Sequence, residues 1–142
     1  MKNELQDAKV AAFKLLARKS LFTKELECKL KEKGFALEVI AEVLALCQKM
    51  GILNDDELQQ KIVASELRKG HGFLWATAKC RAWIPKEKMT PPSALEEREA
   101  IIKLLAKKKI AVDGLDLLHK RKVVQLLLQR GFTRESIFEV LG

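Results

Sequence analysis

Two histidines, three cysteines and a few neighbouring carboxylates are the side chains of this 142-residue chain suited to acid–base, nucleophilic or metal chemistry. Their spacing completes no such device. His71 stands in a Gly70-His71-Gly72 turn and His119 beside Lys120-Arg121-Lys122. Neither has a Cys, Ser or carboxylate at the interval of an acid–base pair or a metal motif. A histidine in such a turn reads as a solvated or capping side chain. Gly70-His71-Gly72 also lacks the further Gly and the Lys-Ser/Thr of a phosphate loop. Glu38 and Glu42, at i and i+4, read as the solvated face of a helix. Cys28, Cys47 and Cys80 are odd in number and have no metal-type spacing, so reduced, buried thiols are expected. These residues predict a protein with no catalysis, cofactor or metal of its own.

Charge is the stronger signal. With 27 Lys and Arg against 19 Asp and Glu the net charge is +8 and the isoelectric point near 9.5, which points to a polyanionic or acidic partner. The cations cluster. Lys61, Arg68, Lys69, Lys79 and Arg81 have Glu66 as the one acid among them, and nine basic residues from Lys103 to Arg134 have only Asp113 and Asp116. The residues expected to meet the partner or DNA are Lys61, Arg68, Lys69, Lys79, Arg81, Lys120, Arg121, Lys122 and Arg130. Within the first set Ile62, Trp75 and Ala78 are expected to hold two helices together, so that the charges turn outward on one face.

The elements that must position these charges are helical. Tyr is absent, Gly and Pro are few, and 48% of residues are hydrophobic, enough for a core in an all-α protein. An internal repeat organises the chain. Lys33-Gly-Phe-Ala-Leu-Glu-Val-Ile-Ala-Glu-Val-Leu44 returns 97 residues later as Arg130-Gly-Phe-Thr-Arg-Glu-Ser-Ile-Phe-Glu-Val-Leu141, with seven of twelve positions identical. A weaker copy lies halfway, at Arg81–Met89. Three tandem three-helix units are predicted, over residues 1–53, 54–92 and 93–142.

In the first unit a helix is predicted from Glu4 to Lys19 with Val10, Phe13, Leu16 and Ala17 inward, widened by Ala8, Ala12 and Leu15. Thr23 is expected to cap a second helix with Leu26 and Leu30 buried, which Gly34 ends. A third helix covers Leu37 to Met50, burying Ile40, Val43, Leu44 and Cys47. The second unit opens at Asn54 with Glu57 reaching back, and turns Leu58, Ile62 and Leu67 inward. Phe73 to Trp83 is its next helix, its packing dominated by Trp75 and Trp83. Its third helix is clipped between Pro85 and Pro91-Pro92. In the third unit Ser93 and Glu96 open a helix to Ile110 with Ile101, Ile102, Leu104 and Leu105 inward. Helices over Leu117–Arg130 and Arg134–Leu141 follow, the last capped by Thr133.

Short three-helix units with a Gly-bearing turn before the last helix suggest helix–turn–helix DNA reading. A groove-entering helix needs basic or amide side chains, whereas these third helices present Glu38 and Glu42, and Glu135 and Glu139. The charge argues against base reading. No apolar run approaches the ~18 residues of a membrane span, and the N-terminus is not signal-like, so the cytoplasm is the expected location.

Laid end to end, the chain resembles the RecX family of bacterial recombinase regulators. The likeness rests on the Ala-rich first helix, Glu25-Leu26-x-x-Lys29-Leu30-x-x-Lys33-Gly34-Phe35 and Gly51-Ile-Leu-Asn-Asp-Asp56. It continues through Arg68-x-Gly70-x-Gly72 and Leu127-x-x-Arg130-Gly131-Phe132-x-x-Glu135-x-Ile137. It departs at Phe73, where the family usually has Pro, and at Ala82-Trp83-Ile84, where it has Lys-Gly-Ile. The resemblance implies three tandem three-helix units in an elongated, curved array. It also implies binding in the groove of the RecA–single-stranded-DNA filament, where members inhibit ATP hydrolysis and strand exchange in recombinational DNA repair and the SOS response. A monomer is expected. The rival readings are a nucleic-acid-binding module independent of RecA and a helical interaction adaptor.

Overall fold

A computed structural model describes residues 3–142, so the first two residues of the expected 1–53 unit lie outside the described residues. Eight α-helices and one 3-10 turn account for the secondary structure of the described residues, in keeping with the all-α expectation. The helices are α1 (Glu4–Arg18), α2 (Thr23–Glu32), α3 (Leu37–Lys49), α4 (Asp55–Arg68), α5 (Phe73–Cys80), α6 (Ala94–Lys107), α7 (Leu117–Gln129) and α8 (Arg134–Leu141), and the 3-10 turn covers Lys86–Lys88. The chain divides into two compact units. The first holds Met1–Leu58 and Ala82–Lys88, the second Gln59–Arg81 and Met89–Gly142, so the boundary falls inside α4.

In the first unit α1, α2 and α3 pack on one another. Leu26 and Leu30 of α2 and Ile40, Val43 and Cys47 of α3 form the core with Ala8 and Ala12 of α1. The stripe on α1 differs from the one its periodicity suggests. Ala8 and Ala12 are fully buried, with Leu5, Ala11, Leu15 and Leu16 packed beside them, while Val10, Phe13 and Ala17 face outward. Two alanines let the helices approach closely, and that choice turns the larger side chains one position around the helix to the surface.

Thr23 does not cap α2. Phe22 occupies that position and Thr23 is the first helical residue. The orphan donors of the first turn are met from another helix: Asp55 Oδ1 accepts from the Thr23 backbone N–H at 2.8 Å and from its hydroxyl at 3.1 Å. Likewise Glu4 Oε1 of α1 accepts the Ala36 N–H at the start of α3, at 2.8 Å. A carboxylate there satisfies a donor and lies at the positive end of the helix dipole.

The second unit contains α5 to α8 and most of α4. Ile101, Leu104 and Leu105 of α6, Val123 and Leu127 of α7, and Ile137 and Leu141 of α8 enclose Phe132. Ile102, expected inward, faces out. Helix α6 stops at Lys107 rather than Ile110, because Lys109 adopts a left-handed φ of 59° and the Ile110 N–H returns to the Leu105 carbonyl at 2.9 Å. Helix α5 stops at Cys80, three residues short of expectation. Pro85 ahead of it has no N–H to donate and biases Ile84 away from helix.

The inward side of α4 in this unit is polar in two of three places. Gln59, Val63 and Glu66 are buried, whereas Ile62 and Leu67 are only half-buried; Leu58, in the first unit, is also half-buried. Gln59 exchanges two hydrogen bonds with Thr90, donating to its hydroxyl at 2.8 Å and accepting its N–H at 3.0 Å. The glycine turn before α5 docks on the turn before α8: the Gly72 N–H donates to the Arg130 carbonyl at 2.8 Å and the Leu74 N–H to the Gly131 carbonyl at 2.9 Å. Glu97 Oε1 completes this junction by accepting the Thr133 N–H at 2.6 Å.

Candidate functional site

All nine basic residues singled out from the sequence fall in the second unit. That unit carries fifteen Lys and Arg against eight Asp and Glu, which leaves twelve against eleven for the rest of the chain. Seven of the eight net positive charges therefore belong to it.

Six of the nine cations fall into three settings. Lys69 and Lys79 converge on Glu66, whose side chain is almost wholly buried; its Oε1 lies 2.9 Å from Lys79 Nζ and 3.5 Å from Lys69 Nζ. A buried carboxylate is tolerated only when paired. Burial pushes the Glu66 carboxyl up, but the bonds from Lys79 and His71 and the charges of Lys79 and Lys69 outweigh it and hold the group below its ordinary value. Both lysines keep about half of their side chains open, at 57% and 52%.

Arg68, Lys69 and Arg130 share a second setting with Lys103, Lys107 and Lys108. They line a cleft of about 770 Å³ floored by Leu67, Gly70 and Leu104, with Glu96 and Glu99 as its acids. Gly70 keeps the floor low: a methyl group there would meet Leu104 Cδ1 at 3.2 Å and the Arg130 guanidinium at 3.6 Å. Lys103 and Lys107 belong to the basic run of the sequence but not to the nine expected contact residues. Their i, i+4 spacing on α6, which puts both on one face, is the local signal that points to them.

Lys120 and Arg121 stand elsewhere, on the edge of an apolar hollow of about 360 Å³ lined by Leu117, Val124, Leu128 and Phe138. Lys122 is exposed on α7, and Arg81 is exposed as the C-terminal cap of α5. Lys61 is exposed on α4. The single shared face expected for Lys61, Arg68, Lys69, Lys79 and Arg81 is thus divided among settings. Ala78 faces outward, so it does not join α4 to α5 as expected.

His71 and Trp75 form the arrangement that sequence reasoning missed. His71 is half-buried rather than a solvated turn side chain, and its Nδ1 lies 2.8 Å from Glu66 Oε2. An ionised carboxylate can only accept, so Nδ1 carries the proton. The imidazole stacks on the Trp75 indole with ring centroids 4.0 Å apart and planes 9° from parallel. Trp75, expected to dominate packing, remains 41% exposed. The buried positions of α5 are Ala76 and Cys80, and Trp83 is half-buried.

Nucleophilic chemistry finds little support in this cluster. Burial pushes the Cys80 thiol up, with Lys79 lowering it and Glu66 raising it, and burial likewise raises Cys47; a nucleophilic thiol needs the opposite direction. His119 is engaged in capping: Asp116 Oδ1 accepts its N–H at 2.8 Å and lies 2.7 Å from its Nδ1. Among the described residues no three His, Cys, Asp or Glu side chains group so as to hold a metal ion, and no helix is long and apolar enough to cross a membrane.

Short helices packed in two compact units, one of them strongly basic, define an all-α protein. The family model described as RecX, first three-helix domain, matches residues 8–47. A regulatory protein RecX of Chlorobaculum tepidum is 33% identical over 138 residues, covering 92% of this chain and 83% of its own length. The one of Pasteurella multocida is 28% identical over 138 residues, covering 90% and 82%. The crystal structure of RecX from Lactobacillus salivarius superposes with a TM-score of 0.81 over 97% of this chain and 94% of that one; at 18% identity the likeness is one of fold. The chain belongs to the RecX family of regulatory proteins.

Proposed function

We propose that this protein restrains the RecA recombinase filament on single-stranded DNA, lying in the filament groove and blocking ATP hydrolysis and strand exchange. Family membership across nine-tenths of the chain is the observation that carries this reading. The charge distribution supports a location for the contact. A unit with seven net positive charges suits a groove where DNA phosphates and acidic protein surface lie side by side. Three repeats over 1–53, 54–92 and 93–142 would let successive modules touch successive recombinase subunits, and a ligand bridging subunits opposes the movements that hydrolysis requires. The protein acts as a cytoplasmic monomer without catalysis of its own.

The test is RecA ATP hydrolysis on single-stranded DNA with this protein titrated in. Hydrolysis should fall steeply as the protein approaches stoichiometry with the filament. A flat response up to excess would reject the reading. The second reading, a nucleic-acid-binding module independent of RecA, draws on the same cations. It gains if bare single-stranded DNA is bound as tightly as filament. Binding to neither would favour a helical adaptor.

A further inference from the structure

We propose that the outer face of the Trp75 indole is a stacking platform for a base of single-stranded nucleic acid, with Lys69 and Lys79 placed to receive the flanking phosphates. At 41% open, Trp75 leaves a large aromatic surface in water; of the other aromatics of its unit Phe132 is completely buried, Phe73 is half-buried and Phe138 is exposed on the apolar hollow of α7 and α8. One face of the indole is covered by the His71 imidazole at 4.0 Å, so the open area lies on the opposite face and the ring edge.

The ring is also held still. His71 is fixed by its 2.8 Å bond to Glu66, and Glu66 is fixed by burial and by Lys79 at 2.9 Å. On the backbone side the Trp75 N–H donates to the Gly72 carbonyl at 3.1 Å, and Gly131 packs against its Cα and Cβ. A flat π-surface held in advance loses little freedom when another ring stacks on it, and every nucleobase offers such a ring.

The cations select the kind of ring. Each lysine ammonium has three N–H donors; Lys79 gives one to Glu66 Oε1, and Lys69 stands at ion-pair distance from the same oxygen. The remaining donors sit on side chains more than half open, within the turn and helix that present Trp75. Two lysines against one carboxylate leave a positive margin around Glu66, whose other oxygen holds the imidazole that backs the indole. An aromatic ligand that carries its own negative charge at short intervals, a single strand with its bases unpaired, meets both features. Duplex DNA does not, because its base faces are already stacked.

This deepens the filament reading by naming the chemical group met, and its test contains no recombinase, so the two can fail separately. The chain has two tryptophans, Trp75 and Trp83; Trp83→Phe leaves Trp75 as the sole fluorophore. This variant is titrated with a dodecamer of deoxyadenosine, an abasic dodecamer of equal charge and a duplex of the same length. The deoxyadenosine strand should quench Trp75 emission strongly, and the other two should leave it nearly unchanged. In the otherwise native chain Trp75→Ala should weaken dodecamer binding about tenfold at fixed salt with an unchanged salt slope, while Trp75→Phe retains most of the affinity. Equal quenching by the abasic strand, native affinity in Trp75→Ala, or no binding of the dodecamer would each overturn the proposal. Melting of Trp75→Ala alongside the native chain separates a lost platform from a lost fold.

Discussion

Gly131 and Trp75 approach so closely that a methyl group on Gly131 would stand 2.5 Å from the Trp75 backbone nitrogen and 2.6 Å from its Cβ. The repeated Gly-Phe pair therefore does different work at its two ends. Gly34 has φ +89° with nothing near its missing side chain, whereas Gly131 has φ +86° and a neighbouring helix against it. Gly34→Ala should cost about 1 kcal/mol, the strain of a left-handed residue alone. Gly131→Ala adds overpacking and should cost about 1–3 kcal/mol more. Thermal melts of the two variants check the order, and equal losses would mean that the α5 turn yields freely.

Glu66 ties acid stability to the second unit. Its folded-state pKa is held below the ordinary carboxylate value, so the folded state binds fewer protons through that range. The stabilisation is present above the ordinary pKa and is lost as pH falls through the folded one. Glu66→Gln cannot titrate. At neutral pH it should be less stable by about 1–3 kcal/mol, because Lys79 and His71 lose a charged acceptor and Lys69 its counter-charge, and its melting temperature should fall less than the native one between neutral and acid pH. Parallel acid limbs in the two proteins would show that Glu66 is not the group responsible.

The buried thiols give the opposite sign. Burial raises Cys47 and Cys80, so the folded state keeps their protons longer. Their contribution is complete below the ordinary thiol pKa and is lost as pH rises toward the folded values. Cys28 is only half-buried. A thiol reagent at neutral pH should therefore modify Cys28 first, and reach Cys47 and Cys80 only as the protein opens. Mass spectrometry of a timed reaction checks the order; equal rates for all three would contradict it.

The buried faces of α2 and α3 are legible in the sequence because Leu26, Leu30, Ile40, Val43 and Cys47 follow one unambiguous stripe, whereas the clipped helix expected between Pro85 and Pro91 is only the 3-10 turn Lys86–Lys88. Helix α1 offers two overlapping stripes, and periodicity favours Val10 and Phe13 by size, whereas close helix packing selects Ala8 and Ala12. Buried polar residues are harder to read. Gln59, Glu66 and Glu97 look like solvent-facing helix positions, and partners that include Thr90, Lys79 and Thr133, 13 to 36 residues away, make their burial tolerable. The basic clusters are visible as composition. The i, i+4 spacing of Lys103 and Lys107 puts them on one face of α6, but that this face meets Arg68 and Arg130 in one cleft is tertiary.

That cleft decides how the filament contact should be dissected. Lys69 is a poor choice for charge reversal, since a carboxylate there would face Glu66 at the 3.5 Å ion pair, and Arg130 packs over Gly70. Arg68, Lys103 and Lys107 line the same cleft and are exposed, so reversing them to Glu should change stability by only about 0.5 kcal/mol each. If the cleft meets phosphate, filament affinity should fall steeply and its dependence on salt should flatten by about one counterion for each phosphate released. The matched control reverses Lys24, Lys33 and Lys49, three exposed lysines of the first unit, and alters net charge by the same amount. Under the proposed placement the control loses only the general attraction of a smaller net charge, and its salt slope stays near native. A control that abolishes binding while the cleft variant binds normally would move the contact to the first unit.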